Sequence, residues 1–259
     1  MKEIHEFTIL ERRQPTAQYI VLVLGHGGQM QPIEPGQFVE VQVPGVREVM
    51  LRRPISVHDV DPVRGTLTLL IQIVGNGTRR LAEMKEGERL NIVYPLGHGF
   101  STDIAFSSRA LLVGGGAGIA PLLHLSKELS ARGVRPTVLL GGRTAALIPV
   151  HREFEPFADV LLCTDDGSMG HHGMVTTHPA FGERWDMIYT CGPTPMMKAV
   201  ARSAAQRGIR CEVSLENMMA CGVGACLCCV TPTDQGHRCV CKDGPVFDIE
   251  NMKEWYDNK

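Results

Sequence analysis

No run of 18 apolar residues occurs anywhere in the 259-residue chain, so no membrane-spanning helix is expected. The opening MKEIHEFTILERR lacks the apolar centre of a secretory leader. There is no basic block either: 26 Lys and Arg stand against 28 Asp and Glu, a formal net charge of −2, which argues against nucleic-acid binding. Internal repeats and low-complexity segments are missing. Cysteine is scarce at first, with only Cys163, Cys191 and Cys211 before residue 220. These absences predict a cytoplasmic, soluble protein with no membrane or nucleic-acid partner.

What is present is a sudden concentration of thiols. Six of the nine cysteines (Cys221, Cys226, Cys228, Cys229, Cys239 and Cys241) fall between Ala220 and Gly244, in ACGVGACLCCVTPTDQGHRCVCKDG. In a reducing compartment such a cluster reads as metal-binding or catalytic rather than as a disulfide framework. Hydrophobic residues make up 44% of the chain, enough to bury a sizeable core, and the length allows two domains with a small third.

Residues 1–102 read as short strands separated by turn signals. TAQYIVLVL, GQFVEVQVP, RRPISVHDV, GTLTLLIQIV and ERLNIVYPLG are rich in β-branched residues and bounded by EPG, DPVRG and KEG, the pattern of an antiparallel barrel or sandwich. Only TRRLAEMKEG looks helical there, with Gly87 as its stop. From 103 to 212 apolar runs alternate with helical stretches, which predicts βαβ units on a parallel sheet. RCEVSLE then delivers the chain to the cysteine-rich segment, 213–259.

Four local signals point to nucleotides, and each has a plain structural alternative. VGGGAGIAP ends a strand and opens a helix, so Gly114, Gly115, Gly116 and Gly118 can bring backbone N–H groups to a phosphate or merely permit close packing. The spacing is not a true GxGxxG. TCGPTPMM sets Cys191, Gly192 and Pro193 at the C-terminal end of a strand, the edge where open α/β sheets bind ligands, although Cys191 also suits a small core position. LRRPISV offers Arg52, Arg53 and Ser56, or a charge-protected sheet edge. In VGNGT, Gly77 and Thr78 can hold a phosphate through N–H groups, a hydroxyl and the helix dipole, or Thr78 can simply cap a helix.

Taken in order, these motifs resemble the ferredoxin reductase superfamily, and LRRPISV, PLGHGF, LLVGGGAGIAPL, DGSMGHHGMVT, CGPTPMMKA, ACGVGAC and CKDGPVFD are similar, from end to end, to one branch of it, the electron-transfer subunits of B-type dihydroorotate dehydrogenase. The resemblance implies an FAD-binding antiparallel β-barrel, a parallel α/β NAD domain and a small C-terminal [2Fe–2S] domain. It makes Arg53, Pro54, Ile55, Ser56, Leu70, Ile71, Gln72, Gly77 and Thr78 FAD contacts. Ile55 stands where related reductases often carry an aromatic residue, so no tyrosine is expected to stack on the flavin. Gly114, Gly115, Gly116, Gly118, Cys191, Gly192 and Pro193 become NAD contacts, with Cys191 near the nicotinamide and Ser56 near the flavin's reactive edge. It further implies an FMN-containing catalytic subunit as partner, two copies of each, with this chain passing electrons through cluster and FAD to NAD+.

The spacing C-x4-C-x2-C of Cys221, Cys226 and Cys229 is that of plant-type [2Fe–2S] centres, and Gly222 and Gly224 let backbone N–H groups turn toward the sulfurs. A fourth ligand is needed. Cys228 adjoins Cys229 and is disfavoured, while Cys239 and Cys241 share a face if their segment is extended, so geometry leaves that choice open. The family pattern, a cysteine before x-DGPVF, selects Cys241. Zinc on four thiolates is the alternative metal. NAD exchanges electron pairs, the cluster single electrons, and flavin either, so the three together make a converter. Two other readings share part of this pattern: the corresponding subunit of an NAD(P)H–ferredoxin oxidoreductase or sulfhydrogenase, and a self-sufficient flavin reductase with a structural zinc site. Arg143, His171 and His172 read as loop residues, Arg143 with the option of meeting a 2′-phosphate.

Overall fold

A computed structural model describes residues 2–257. The N-terminal part is a closed antiparallel barrel of β1 (Glu3–Thr16), β2 (Tyr19–Gly25), β3 (Phe38–Val41), β4 (Arg53–Asp61), β5 (Thr66–Gln72) and β6 (Arg89–Leu96), in the order β1-β2-β5-β4-β3-β6. Its interior is filled by Phe7, Ile20, Leu22, Val39, Val41, Leu67, Leu69 and Ile92. Helix α1 (Asn76–Glu83) is the one helix among the barrel strands. Five of the six strands follow the β-branched runs. β1 has no such run: Glu3, Glu6, Glu11 and Arg12 dilute it, and Ile4 and Leu10 face outward while Phe7 and Ile9 are buried. Closure of the barrel, more than propensity, holds it extended.

The second sheet has seven strands in the order β10-β9-β8-β7-β11-β12-β15, the last being Val246–Asp248. β7 (Ala110–Gly115), β8 (Thr137–Gly142), β9 (Asp159–Thr164), β10 (His171–His172), β11 (Met187–Cys191) and β12 (Arg210–Ser214) run parallel. α2 (Ala120–Ala131) follows β7 and α3 (Thr194–Gln206) follows β11. The central strands are buried on both faces, as sheets covered by crossover helices must be: Leu111, Val113 and Leu139 join the core under α3, Leu112, Val138 and Leu140 the core under α2. Chain order reverses between β7 and β11, which opens a crevice at their C-terminal ends.

The tail forms a hairpin of β13 (Val230–Thr233) and β14 (Gly236–Cys239), a single turn α4 (Val240–Asp243), β15 (Val246–Asp248) and α5 (Lys253–Asp257). β15 returns to pair antiparallel with β12, so the cysteine-rich segment is tied into the α/β sheet at its edge. Among the described residues, no helix is long and apolar enough to cross a membrane.

Candidate functional site

On the barrel, β4 and α1 meet. A methyl group on the α-carbon of Gly77 would lie 2.9 Å from Arg53 Nε, so the arginine stem runs directly over the first turn of α1. The first intrahelical bond joins Arg79 N–H to the Gly75 carbonyl, which leaves the N–H groups of Asn76, Gly77 and Thr78 ahead of it and able to meet an anion. The Thr78 hydroxyl is already engaged as a cap, accepting from Val74 N (2.9 Å) and Gly75 N (3.1 Å) and donating its own proton to the Gly75 carbonyl (3.2 Å). Thr78 can therefore offer its N–H, while the hydroxyl contact expected from sequence is not free to form. The two arginines also separate. Arg52 donates to the carbonyls of Asn91 (2.9 Å) and Glu40 (3.3 Å) and bolts β3 to β6, whereas Arg53 makes, among the described residues, only one weak bond, to the Arg52 carbonyl at 3.3 Å. Pro54, Ile55 and Ser56 are half-buried along the same strand. Leu70 and Ile71 are 3% and 1% exposed, in the core beneath α2 and the barrel core respectively, so their side chains are committed and only their backbone can face a ligand.

Gln72, at the end of β5, reaches a second place. It lines a cavity of about 590 Å³ together with Gly115, Gly116, Gly192, Pro193 and Glu216, at the crevice between β7 and β11. The glycines divide by role. Gly116, at φ +58°, turns the chain and lines the cavity beside Gly115. Gly114 and Gly118 permit packing instead: a Cβ on Gly114 would strike Leu122 at 2.7 Å. Cys191 is fully buried, with Sγ 4.0 Å from Glu216 Oε1. Burial first, and the Glu216 carboxylate second, raise its pKa far above the usual thiol value, so it is a neutral thiol and not a nucleophile.

Glu216 belongs to none of the sequence motifs. It stands just past the C-terminal end of β12, and the protein packed around its carboxyl raises its pKa. Its position after a parallel strand in SLEN was the available signal. Tyr19 also lies outside the motifs: its buried hydroxyl has no partner among the described residues and lies 3.9 Å from where a Gly116 Cβ would stand. Arg143, read as a loop residue, and Asp165 line the same cavity. His171 forms part of β10, and its ring meets that of His178 at 5.0 Å.

In the tail, backbone N–H groups gather on sulfur. Val223, Ala225 and Cys226 donate to Cys221 Sγ at 3.5, 3.3 and 3.4 Å. Gly224 donates to Cys241 Sγ at 3.1 Å and Cys241 to Cys229 Sγ at 3.4 Å. Gly222 (φ +66°), Gly224 (φ +82°) and Leu227 (φ +59°) supply the left-handed turns that aim these donors. Burial alone would raise the Cys221 pKa, but the N–H groups hold it down to about 6, while burial and Cys229 push Cys241 up to about 12. Cys226 and Cys228 are exposed. The segment 239–241 does not meet the condition under which the two cysteines would share a face: it is not extended, because β14 ends at Cys239 and α4 begins at Val240. Cys241 turns to Cys229 and the loop, while Cys239 closes the hairpin opposite Val230. Among the described residues, no three His, Cys, Asp or Glu stand in the arrangement of a single-ion site. The donor set nonetheless suits a negatively charged thiolate-bound cluster, because it meets sulfur with aimed N–H groups.

The loop also touches the barrel. A Cβ on Gly222 would lie 2.9 Å from Glu40 Cγ on β3, and Glu40 pairs with Pro54 on β4. The cysteine loop's barrel contact is therefore on the strand next to Arg53–Ser56, one inter-strand spacing of roughly 4.8 Å away. Glu40 is itself 1% exposed, neither oxygen is partnered among the described residues, and burial raises its pKa to about 7.

Residues 216–253 match the family model described as the iron-sulfur cluster binding domain of dihydroorotate dehydrogenase B. The chain is 40% identical over 245 residues to the dihydroorotate dehydrogenase B (NAD(+)) electron transfer subunit of Geobacillus thermodenitrificans, covering 93% of this chain and 95% of that one. It is 37% identical over 256 residues to the subunit of the same name from Bacillus mycoides, covering 96% and 98%. Among solved structures, it superposes on a chain of the NADH-dependent reduced ferredoxin-NADP oxidoreductase with a TM-score of 0.84 and 32% identity, over 95% of this chain and 88% of that chain. A ferredoxin reductase of carbazole 1,9a-dioxygenase shares the fold at a TM-score of 0.70 and 20% identity, over 80% and 67%.

Proposed function

Because the chain belongs to the electron-transfer subunits of dihydroorotate dehydrogenase B, we propose that it carries electrons from a catalytic partner, by way of a [2Fe–2S] cluster and FAD, to NAD+. When bound, the flavin would supply the exchange between single electrons and the electron pair of a hydride, which neither NAD nor the cluster can make alone. The protein's share is to bind, orient and space these groups.

Each share rests on residues described above. Arg53 and the free N–H groups of α1 bind the flavin's pyrophosphate, as a guanidinium and a helix N-terminus suit such an anion. Pro54, Ile55, Ser56 and the backbone of Leu70–Gln72 line the ring site. Gly115, Gly116, Gly192 and Pro193 form the nicotinamide-nucleotide crevice, with Gly114, Gly118 and Cys191 shaping its floor. Cys221, Cys226, Cys229 and Cys241 hold the cluster, and the N–H groups on the sulfurs stabilise its charge. The observation that supports this reading is the seat of Gly222 on Glu40, whose strand β3 pairs with β4, the strand proposed for the flavin.

Dihydroorotate oxidation belongs to the partner. That partner contains FMN, and the complex holds two copies of each chain in the cytoplasm. Met218, Val223 and Leu227, 84%, 43% and 64% exposed around the cysteine loop, form the apolar surface that meets it. Co-purification tests the proposal. An FMN-bearing partner with orotate-forming activity, together with iron and acid-labile sulfide on this chain, is the expected result. A larger NADPH-binding flavoprotein partner favours the ferredoxin-linked reading suggested by the 0.84 superposition. Zinc without sulfide overturns the relay.

A further inference from the structure

His58 sits on β4 two residues beyond Ser56 and is 0% exposed. Its Nδ1 lies 2.8 Å from the carbonyl oxygen of Ala120. Ala120 is the first residue of α2 and follows directly on the glycine turn Gly116–Ile119. A carbonyl only accepts, so Nδ1 carries the proton of this bond. On its other side, His58 Nε2 faces Glu153 Oε2 at 3.5 Å, and Glu153 Oε1 accepts from Arg13 on β1 at 2.9 Å. One imidazole thus touches the strand assigned to flavin, the helix that opens from the nucleotide turn, and a carboxylate beyond it.

We propose that His58 is a positioning residue for hydride transfer, holding the nicotinamide-nucleotide turn in register with the flavin strand. The inference rests on the flavin and nucleotide assignments above and adds to them the part that sets their spacing. A wholly buried polar ring costs stability unless its nitrogens are engaged, and an aliphatic side chain would fill the same space without that cost. What the ring adds is direction: a bond from a rigid strand to the carbonyl at the start of α2. The domains have other ties, Lys127 to both oxygens of Asp59 at 2.8 Å and Tyr189 to the Ser101 carbonyl at 2.7 Å. Loss of His58 should therefore leave the domains docked but the turn less accurately placed, and a misplacement of about 1 Å can cost about 100-fold in rate.

The test uses the purified flavin- and cluster-containing protein, with NADH as the probe and flavin bleaching followed by stopped flow. His58→Leu keeps bulk and loses the bond to the Ala120 carbonyl, whereas His58→Asn places an amide nitrogen where Nδ1 stood and can still donate to Ala120. The expected result is a limiting bleaching rate lowered about 10- to 100-fold in His58→Leu, a half-saturating NADH concentration changed less than about 3-fold, and most of the rate restored in His58→Asn. Hydrogen exchange of the amides in residues 116–124 should quicken in His58→Leu and return toward the parent in His58→Asn. A His58→Leu rate within about 2-fold of the parent overturns the role. So does a His58→Asn variant no better than His58→Leu. Should His58→Leu fail to fold, His58→Asn is compared with His58→Gln, whose longer amide reaches toward Glu153 instead; equal rates overturn the role and a faster Asn variant supports it. A parent protein whose flavin NADH never bleaches overturns the underlying assignment, and the inference with it.

Discussion

The α-carbon of Gly118 rests against the peptide joining Cys191 to Gly192: a methyl group there would lie 2.3 Å from the Cys191 carbonyl carbon and oxygen and from the Gly192 nitrogen. Backbone meets backbone, so neither side can yield by turning a rotamer. Gly118→Ala must push the two turns at the crevice apart. The expected outcome is a rise of at least about 10-fold in the KM for NADH with flavin content retained, since the barrel is untouched. Steady-state kinetics beside a flavin absorption count checks this, and an unchanged KM would show that the crevice does not bind the nucleotide.

The cysteines separate into two sets. Cys221→Ser, Cys226→Ser, Cys229→Ser and Cys241→Ser are each expected to lose iron and acid-labile sulfide, while Cys228→Ser and Cys239→Ser retain both. Cys241 carries the weight of this prediction, because its sulfur and amide both join the loop network, whereas Cys239 lies in the hairpin. A cluster kept in Cys241→Ser and lost in Cys239→Ser reverses the assignment.

Arg53 and Arg52 adjoin in sequence and differ in role. Arg53→Ala should weaken flavin retention by about 10- to 100-fold, the worth of a charge-assisted bond of about 1.5–3 kcal/mol. Arg52→Ala should instead lower the melting temperature, because Arg52 joins β3 to β6 through Glu40 and Asn91. Flavin fluorescence on dilution and thermal unfolding separate the two effects. Equal flavin loss in both variants would refute the division.

His124 supplies a pH dependence away from the cofactors. It is 6% exposed on α2, its Nδ1 has no partner among the described residues, and burial lowers its pKa from 6.5 to about 4, with Lys127 and His58 adding and Asp59 opposing. A depressed histidine stays neutral in the fold and takes up a proton only on unfolding. Its stabilisation is therefore complete above pH 6.5 and is lost as pH falls through about 4, a swing on the order of 3 kcal/mol. His124→Gln should flatten the melting temperature against pH across that interval. A slope identical to the parent's would assign the acid sensitivity elsewhere.

Much of this protein was legible in its residues. β-Branched runs broken by Gly, Pro and Asp marked five barrel strands, because a pleated half-buried surface selects such residues locally. The change to apolar runs alternating with helices marked the parallel sheet, whose double-sided burial demands them. The C-x4-C-x2-C spacing and the two glycine turns were equally visible, since tight loops need particular residues at particular intervals. Tertiary structure alone decided the rest. β1 became a strand because the barrel closes on it, Arg52 and Arg53 parted because β6 supplies Asn91 to only one of them, and Glu216 reached the crevice because β12 ends beside β11. Cys239 and Cys241 diverged because the hairpin ends between them. Each of these outcomes depends on contacts between residues far apart in the chain, for which local spacing carries no record.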